Sequence, residues 1–260
     1  KDYLENESTH SYLRREICFL SQLHHTYLVD FIGFNNDPGE QLWIITKFYE
    51  KGSLLHANLN RRLNPFQKTK IAFQIAEGMN YLHSKRVIHR DLKTDNIMLD
   101  NDFNPKISDF GYARNNLSLL MTEKVGTFNY MAPEVILGKN YGLKADVFSF
   151  GMILFELHYE NFPFSWRMKK SIIDAIIDDD PLPFKKNISE DLKKLIIDCK
   201  IFNHKKRPSF EQILERMINE RIAFNGADEK EINEFYRLKS ENRERIDLKT
   251  TSSGSGLFAS

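Results

Sequence analysis

The chain has 260 residues, 41% hydrophobic and 12% aromatic, enough to bury one large core or two smaller lobes. Lys and Arg total 37 against 36 for Asp and Glu; a formal net charge of +1 offers no general attraction to nucleic acid or anionic lipid, so neither is an expected partner and any charged ligand must be met locally. Cys18 and Cys199 are too few and too far apart for a disulfide framework or a CxxC metal site, and fit buried thiols in a reducing cytoplasm. The longest apolar run, Val147 to Leu157, is interrupted by Ser149, Gly151 and Glu156 and falls short of the roughly 20 residues a membrane span needs; no signal-peptide pattern opens the chain. The expectation is a cytoplasmic protein with no membrane partner.

In chain order, Ser8 to His24 carries Leu13, Ile17, Leu20 and Leu23 at the spacing of a helix with one buried face. Tyr27 to Phe34 and Leu42 to Thr46 read as strands, and the Asn35 to Gly39 turn signal between them predicts a hairpin. A second helical face runs through Ile71, Ile75, Met79 and Leu82 within Gln67 to Leu82, followed by short β-like pieces at Val87 and Ile88, Ile97 to Leu99, and Lys106 and Ile107. Asp146 to His158 is apolar on nearly every side, which argues for a helix buried all round, the central post of a larger lobe. Ile188 to Lys200 presents Leu192, Leu195, Ile196 and Cys199 on one face, and Ser209 with Gln212 has capping-box spacing ahead of another helix. Beyond about Phe224 the composition turns to Glu, Lys, Arg and Asn and ends in Thr-Thr-Ser-Ser-Gly-Ser-Gly, so a solvated helix with a flexible tail is expected.

The chemistry sits in three stretches. His89 to Asn96 reads HRDLKTDN in a polar loop between two β-like pieces; six fixed residue types at fixed spacing arise by accident with odds on the order of 10⁻⁸. Asp109-Phe110-Gly111 follows a short strand, and Gly126 to Glu134 reads GTFNYMAPE. These stretches, in this order, resemble the catalytic loop, the DFG tripeptide and the APE segment of eukaryotic protein kinases. Asp146, Ser149 and Gly151 match that family's DxWSxG with Phe148 at the Trp position, and Arg207-Pro208 matches the late arginine that pairs with the APE glutamate. The resemblance implies a bilobal α+β fold with a mainly helical large lobe, ATP and Mg²⁺ as cofactors, and proteins bearing Ser or Thr as substrates. By the same resemblance Asp91 orients the substrate hydroxyl and takes its proton, Lys93 faces the γ-phosphate, Asn96 and Asp109 hold magnesium, and Glu134 pairs with Arg207 in a structural role.

Further roles follow from the likeness. Glu16, nine residues before His25, corresponds to the glutamate of the small-lobe helix, with a solvated Glu beside Arg14 and Arg15 as the alternative. Leu42 to Leu54 resembles the strand and hinge facing the adenine, with Thr46 as gatekeeper, Lys47, Phe48 and Tyr49 along the hinge, and Met98 beneath the base. Lys93 and Thr127 point to the serine/threonine type, and KGSLL, FIGF and DVFSFG to its tyrosine-kinase-like branch. Arg90 would pair with a phosphate on the activation loop, for which Ser118 and Thr122 are candidates. No GxGxxG precedes Glu16, Lys1 is a candidate for the ATP-gripping lysine, and the chain reads as a kinase domain (1–223) starting mid-lobe. The small-lobe remainder is then 1–49, lacking its first strands, the large lobe 50–223, and the charged tail 224–260. A hairpin without those strands is marginally stable, so weak Mg-ATP binding is expected of this polypeptide. A non-catalytic scaffold is the main competing class, and a small-molecule phosphotransferase, which lacks the APE segment, the lesser one. Oligomeric state and peptide substrate are not written in these residues.

Overall fold

A computed structural model describes residues 17–18, 20–35, 43–110, 127–139, 141–162, 169–185 and 187–254. The first predicted helix is seen at its end, where residues 17–18 and 20–22 are helical; Glu16, Lys1, Ser118 and Thr122 lie outside the described residues. Strands β1 (Phe31–Asn35) and β2 (Trp43–Thr46) pair antiparallel as the expected hairpin, with a register shift between Phe31 and Gly33. The first strand does not begin at Tyr27, however. Tyr27 to Val29 turns away and joins the large lobe: the Ile107 N–H donates to the Tyr27 carbonyl (2.9 Å) and the Val29 N–H to the Ile107 carbonyl (3.0 Å). Leu28 is 1% exposed there, so burial against the larger core outweighs a longer hairpin.

The larger lobe is helical. Helix α1 (Leu54–Leu59) is capped by Ser53, and α2 (Pro65–Ser84) by a reciprocal Asn64–Gln67 capping box with Pro65 at its first position. Two short antiparallel strands, β3 (Ile97–Leu99) and β4 (Pro105–Ile107), follow; Val87 and Ile88 fall in no strand of that pair. After the short α3 (Pro133–Ile136), α4 (Lys144–Tyr159) is buried at every residue from Ala145 to Leu157, as its all-round apolar sequence requires. Helices α5 (Lys169–Ile177), α6 (Glu190–Lys200) and α7 (Phe210–Asn219) complete the lobe. The α6 helix crosses α4 where Gly151 has no side chain: a Cβ there would lie 2.7 Å from the Cys199 Cβ. The predicted Ser209–Gln212 capping box opens α7, and α7 lies on α2.

The final helix, α8 (Glu229–Gly254), corrects the expectation of a solvated extension over its first turns. Ile232 and Tyr236 are buried in the core, and the Tyr236 hydroxyl donates to the Ile222 carbonyl at 2.6 Å. Phe235 and Tyr236 meet the Phe73 ring edge to face, and Lys239 pairs with Glu77 at 2.6 Å while lying over the rings of Tyr27 and Phe73. Four positions separate Ile232 from Tyr236, one turn of helix, which places both on the docked face.

Candidate active site

The loop from His89 to Asn96 is held from beneath by one carboxylate. Asp146, fully buried on α4, accepts the His89 N–H (2.9 Å) and the Arg90 N–H (3.0 Å) and bonds His83 Nε2 (2.9 Å). Burial by itself raises this carboxyl; the His83 hydrogen bond and the charges of His83 and His89 outweigh it and keep it below the usual range. With its backbone so fixed, Arg90 sits in the left-handed region (φ 74°), and its guanidinium stacks on Tyr141 at 5.3 Å. The turn sends the next residue, Asp91, out of the core.

Asp91 Oδ2 receives Lys93 Nζ at 2.6 Å and Asn96 Nδ2 at 2.9 Å, and the same amide nitrogen donates to the Asp91 carbonyl at 2.8 Å. Asn96 Nδ2 is thus committed to Asp91, and among the described residues no donor reaches Asn96 Oδ1 or Asp91 Oδ1. Both oxygens are open to a ligand. The β3–β4 register, Ile97 opposite Ile107, brings the residues flanking those strands together: Ser108 donates its N–H (2.8 Å) and Oγ (2.9 Å) to the Asn96 carbonyl. Asp109 follows in the left-handed region (φ 64°), and Phe110 is fully buried with its ring 5.3 Å from His89. Two of the three stretches singled out in the sequence therefore converge here: Asp91, Lys93 and Asn96 directly, Asp109 through the Ser108 bonds.

The predicted nucleotide face has a mixed geometry. Thr46 closes β2 opposite Phe31, and the Lys47 N–H is taken by the Asp30 carbonyl at 2.9 Å. The Lys47 carbonyl and the Tyr49 N–H have no partner among the described residues and form an acceptor and donor two residues apart. The Tyr49 side chain does not face that edge; it is 3% exposed, its hydroxyl bonds Asp30, and burial foremost pushes it up to about 12. Tyr49 can therefore meet a ligand only through its backbone. Met98 is half-buried and bridges to Ser53. Thr127 opens the 3-10 turn Thr127–Tyr130, and its side chain is outside the described set.

A second buried cluster was not foreseen. The hydroxyls of Thr94 and Tyr130 both bond the Glu156 carboxylate, Thr94 at 3.0 and 3.1 Å, and each other at 3.0 Å. Burial, with Asp95 adding to it and the Tyr130 and Thr94 bonds opposing it, pushes the Glu156 carboxyl up to about 7. Burial and the adjacent carboxylate hold the Tyr130 phenol well above its usual value. The cluster ties the residue after Lys93 to the segment before α3. Its sequence signal was a carboxylate, Glu156, inside the apolar run Val147 to Leu157. Glu134 and Arg207 form the expected buried pair, bidentate at 2.7 and 2.9 Å, with Arg207 also donating to Ile201, Phe202 and Lys144 carbonyls.

Such a site, with a scaffolded Asp–Lys–Asn loop at the edge of a helical lobe, has the arrangement of the protein kinase fold. The family model described as protein kinase domain matches residues 1–217. The chain belongs to the protein kinase family. Its relatives are named as serine/threonine kinases: it is 35% identical over 222 residues to serine/threonine-protein kinase STY17 of Arabidopsis thaliana, covering 83% of this chain and 38% of that protein. Serine/threonine-protein kinase STY46 of the same plant is 32% identical over 250 residues, covering 94% of this chain and 40% of that protein. The chain thus spans well under half the length of these two relatives. No helix among the described residues is long and apolar enough to cross a membrane.

Proposed function

We propose that this chain transfers the γ-phosphoryl group of ATP to serine and threonine hydroxyls of proteins, within the tyrosine-kinase-like branch. The observation that carries the reading is the Asp91 carboxylate: Oδ2 is pinned by Lys93 and Asn96, and Oδ1 is left open. Oδ1 accepts the substrate hydroxyl proton as its oxygen bonds phosphorus; the bond to the β-γ bridging oxygen breaks, and ADP leaves with that electron pair. Lys93, half of an ion pair with Asp91, meets the charge on the transferred group. The Lys47 carbonyl and Tyr49 N–H suit an adenine edge, with Thr46 and Met98 bordering it.

Magnesium fits the donor set. Asn96 Oδ1 and the Asp109 carboxylate are two hard oxygens at one end of the β3–β4 pair, and magnesium binds through one or two protein oxygens while phosphates and waters fill its octahedron. Asn96 and Asp109 would hold it there, and it would supply positive charge against the phosphates. We assign residues 1–223 to the kinase domain, Glu16 to the small-lobe glutamate and Thr127 to substrate-hydroxyl selection.

A non-catalytic scaffold is the second reading. It is favoured by the hairpin, whose Ile32, Phe34, Trp43 and Ile45 are 66%, 50%, 58% and 49% exposed, apolar side chains on its two faces that suit a protein partner. The test is phosphotransfer from labelled Mg-ATP to a mixed protein substrate, followed by phosphoamino-acid analysis. The kinase reading expects phosphoserine and phosphothreonine, with Asp91→Asn slower by at least about a thousandfold and unchanged in melting temperature. Equal rates in wild type and variant reject Asp91 as the base. No transfer by the wild type at millimolar Mg-ATP favours the scaffold.

A further inference from the structure

Leu137 and Phe202 are each 39% exposed and come from distant segments. They meet at one cavity of about 320 Å³, lined also by Glu134, Lys139, Asn203 and His204. That volume lies at the lower end of ligand sites and accommodates one bulky side chain with its backbone. The walls are fixed: Arg207 anchors the Ile201 and Phe202 carbonyls, and the Lys139 N–H donates to the Glu134 carbonyl at 2.9 Å. Both Glu134 oxygens are occupied by Arg207, so the one carboxylate among the described lining residues is neutralised from behind.

The rim has the opposite sign. Lys139 and His204 border the cavity, and Lys205 and Lys206 follow His204 in the same 3-10 turn. None of these three lysines has an ion-pair partner among the described residues. An apolar floor under an unneutralised basic rim is complementary to an apolar side chain flanked by carboxylates. The net charge of +1 gives the molecule no long-range field for a polyanion, which favours a short local match over nucleic acid. The floor residue Leu137 immediately follows α3, and α3 follows the Thr127–Tyr130 turn whose Tyr130 bonds Thr94 of the catalytic loop, so the cavity floor and that loop's partner belong to one short stretch of chain.

We propose that this cavity docks protein substrates through a short segment in which one bulky apolar side chain is flanked by acidic residues. The assignment to substrates rests on the kinase reading; the binding itself does not. The test uses the 260-residue chain and a fluorescein-labelled nonapeptide with a single Phe among Glu residues, read by anisotropy. Saturable binding is expected, weakened about tenfold or more when the peptide Phe becomes Ala, and lost when its Glu become Lys. Phe202→Ser, and separately Lys139→Glu with Lys205→Glu, each weaken binding about tenfold with circular dichroism unchanged, whereas Asp91→Asn binds as wild type. Equal affinity for the Ala peptide, or full affinity in both cavity variants, overturns the proposal. So does light scattering that shows a wild-type dimer dispersed by Phe202→Ser, which gives the cavity to a second copy. Phe202-dependent binding in a chain that transfers no phosphate supports the docking site and rejects the kinase reading alone.

Discussion

Replacing Glu156 with Gln keeps the shape of the side chain and an acceptor for the Thr94 and Tyr130 hydroxyls but removes its titration. The Glu156 carboxyl moves from an ordinary 4.5 to about 7 on folding, chiefly through burial. At roughly 1.4 kcal/mol for each pH unit of displacement, this links protonation to about 3 kcal/mol of folding stability. Because the folded state holds this proton more tightly than the unfolded chain, the contribution is fully present below about pH 4.5 and is lost as pH rises through about 7. His25 and His158, both lowered by burial first, act with the opposite sign in an overlapping range, since the unfolded chain binds their protons more tightly. The quantity to read is therefore the difference between Glu156→Gln and wild type, from urea unfolding at steps between about pH 5 and pH 8. The variant should gain on the wild type by about 2 to 3 kcal/mol across that interval. A difference that stays flat within about 0.5 kcal/mol refutes the reasoning, because it means that the Glu156 carboxyl titrates alike in both states.

Three other substitutions test the frame around the site. Arg207→Ala leaves the Glu134 carboxylate buried without its bidentate partner and should cost about 3 to 5 kcal/mol in thermal or urea unfolding; a loss under about 1 kcal/mol contradicts the buried pair. Gly151→Ala sets helix propensity, worth up to about 1 kcal/mol in its favour, against a Cβ contact of 2.7 Å with Cys199. The clash should win by about 1 to 2 kcal/mol, and a raised melting temperature would show that α4 and α6 are not so close. Tyr236→Ala removes a ring that is 1% exposed, with an expected cost of about 3 kcal/mol, whereas a solvated terminal helix loses under about 0.5 kcal/mol.

The amino-acid sequence alone determined the long helices α2, α4, α6 and α7, the hairpin and the catalytic loop, because each is specified by residues close together in the chain. The all-round apolar pattern of Val147 to Leu157 requires burial, the Ser209–Gln212 spacing sets a helix start, and HRDLKTDN keeps Asp91, Lys93 and Asn96 close along the chain. The Glu134–Arg207 pair was legible only through the family likeness, since nothing local links those two positions. Tertiary structure decided the remainder. Tyr27 to Val29 has the residues of a strand, but period-two patterning does not name a partner, and Ile107 was the better one. Glu156 shows in the sequence only as an isolated acid; its meaning comes from two hydroxyls contributed by other segments. The same holds for α8, where Ile232, Phe235, Tyr236 and the stem of Lys239 form a narrow apolar stripe that average composition hides and that the face of α2 reveals. Patterning encodes which surface a segment must bury; only the assembled core determines which surface covers it, because apolar burial is non-directional and is settled by the neighbour that removes the most area from water.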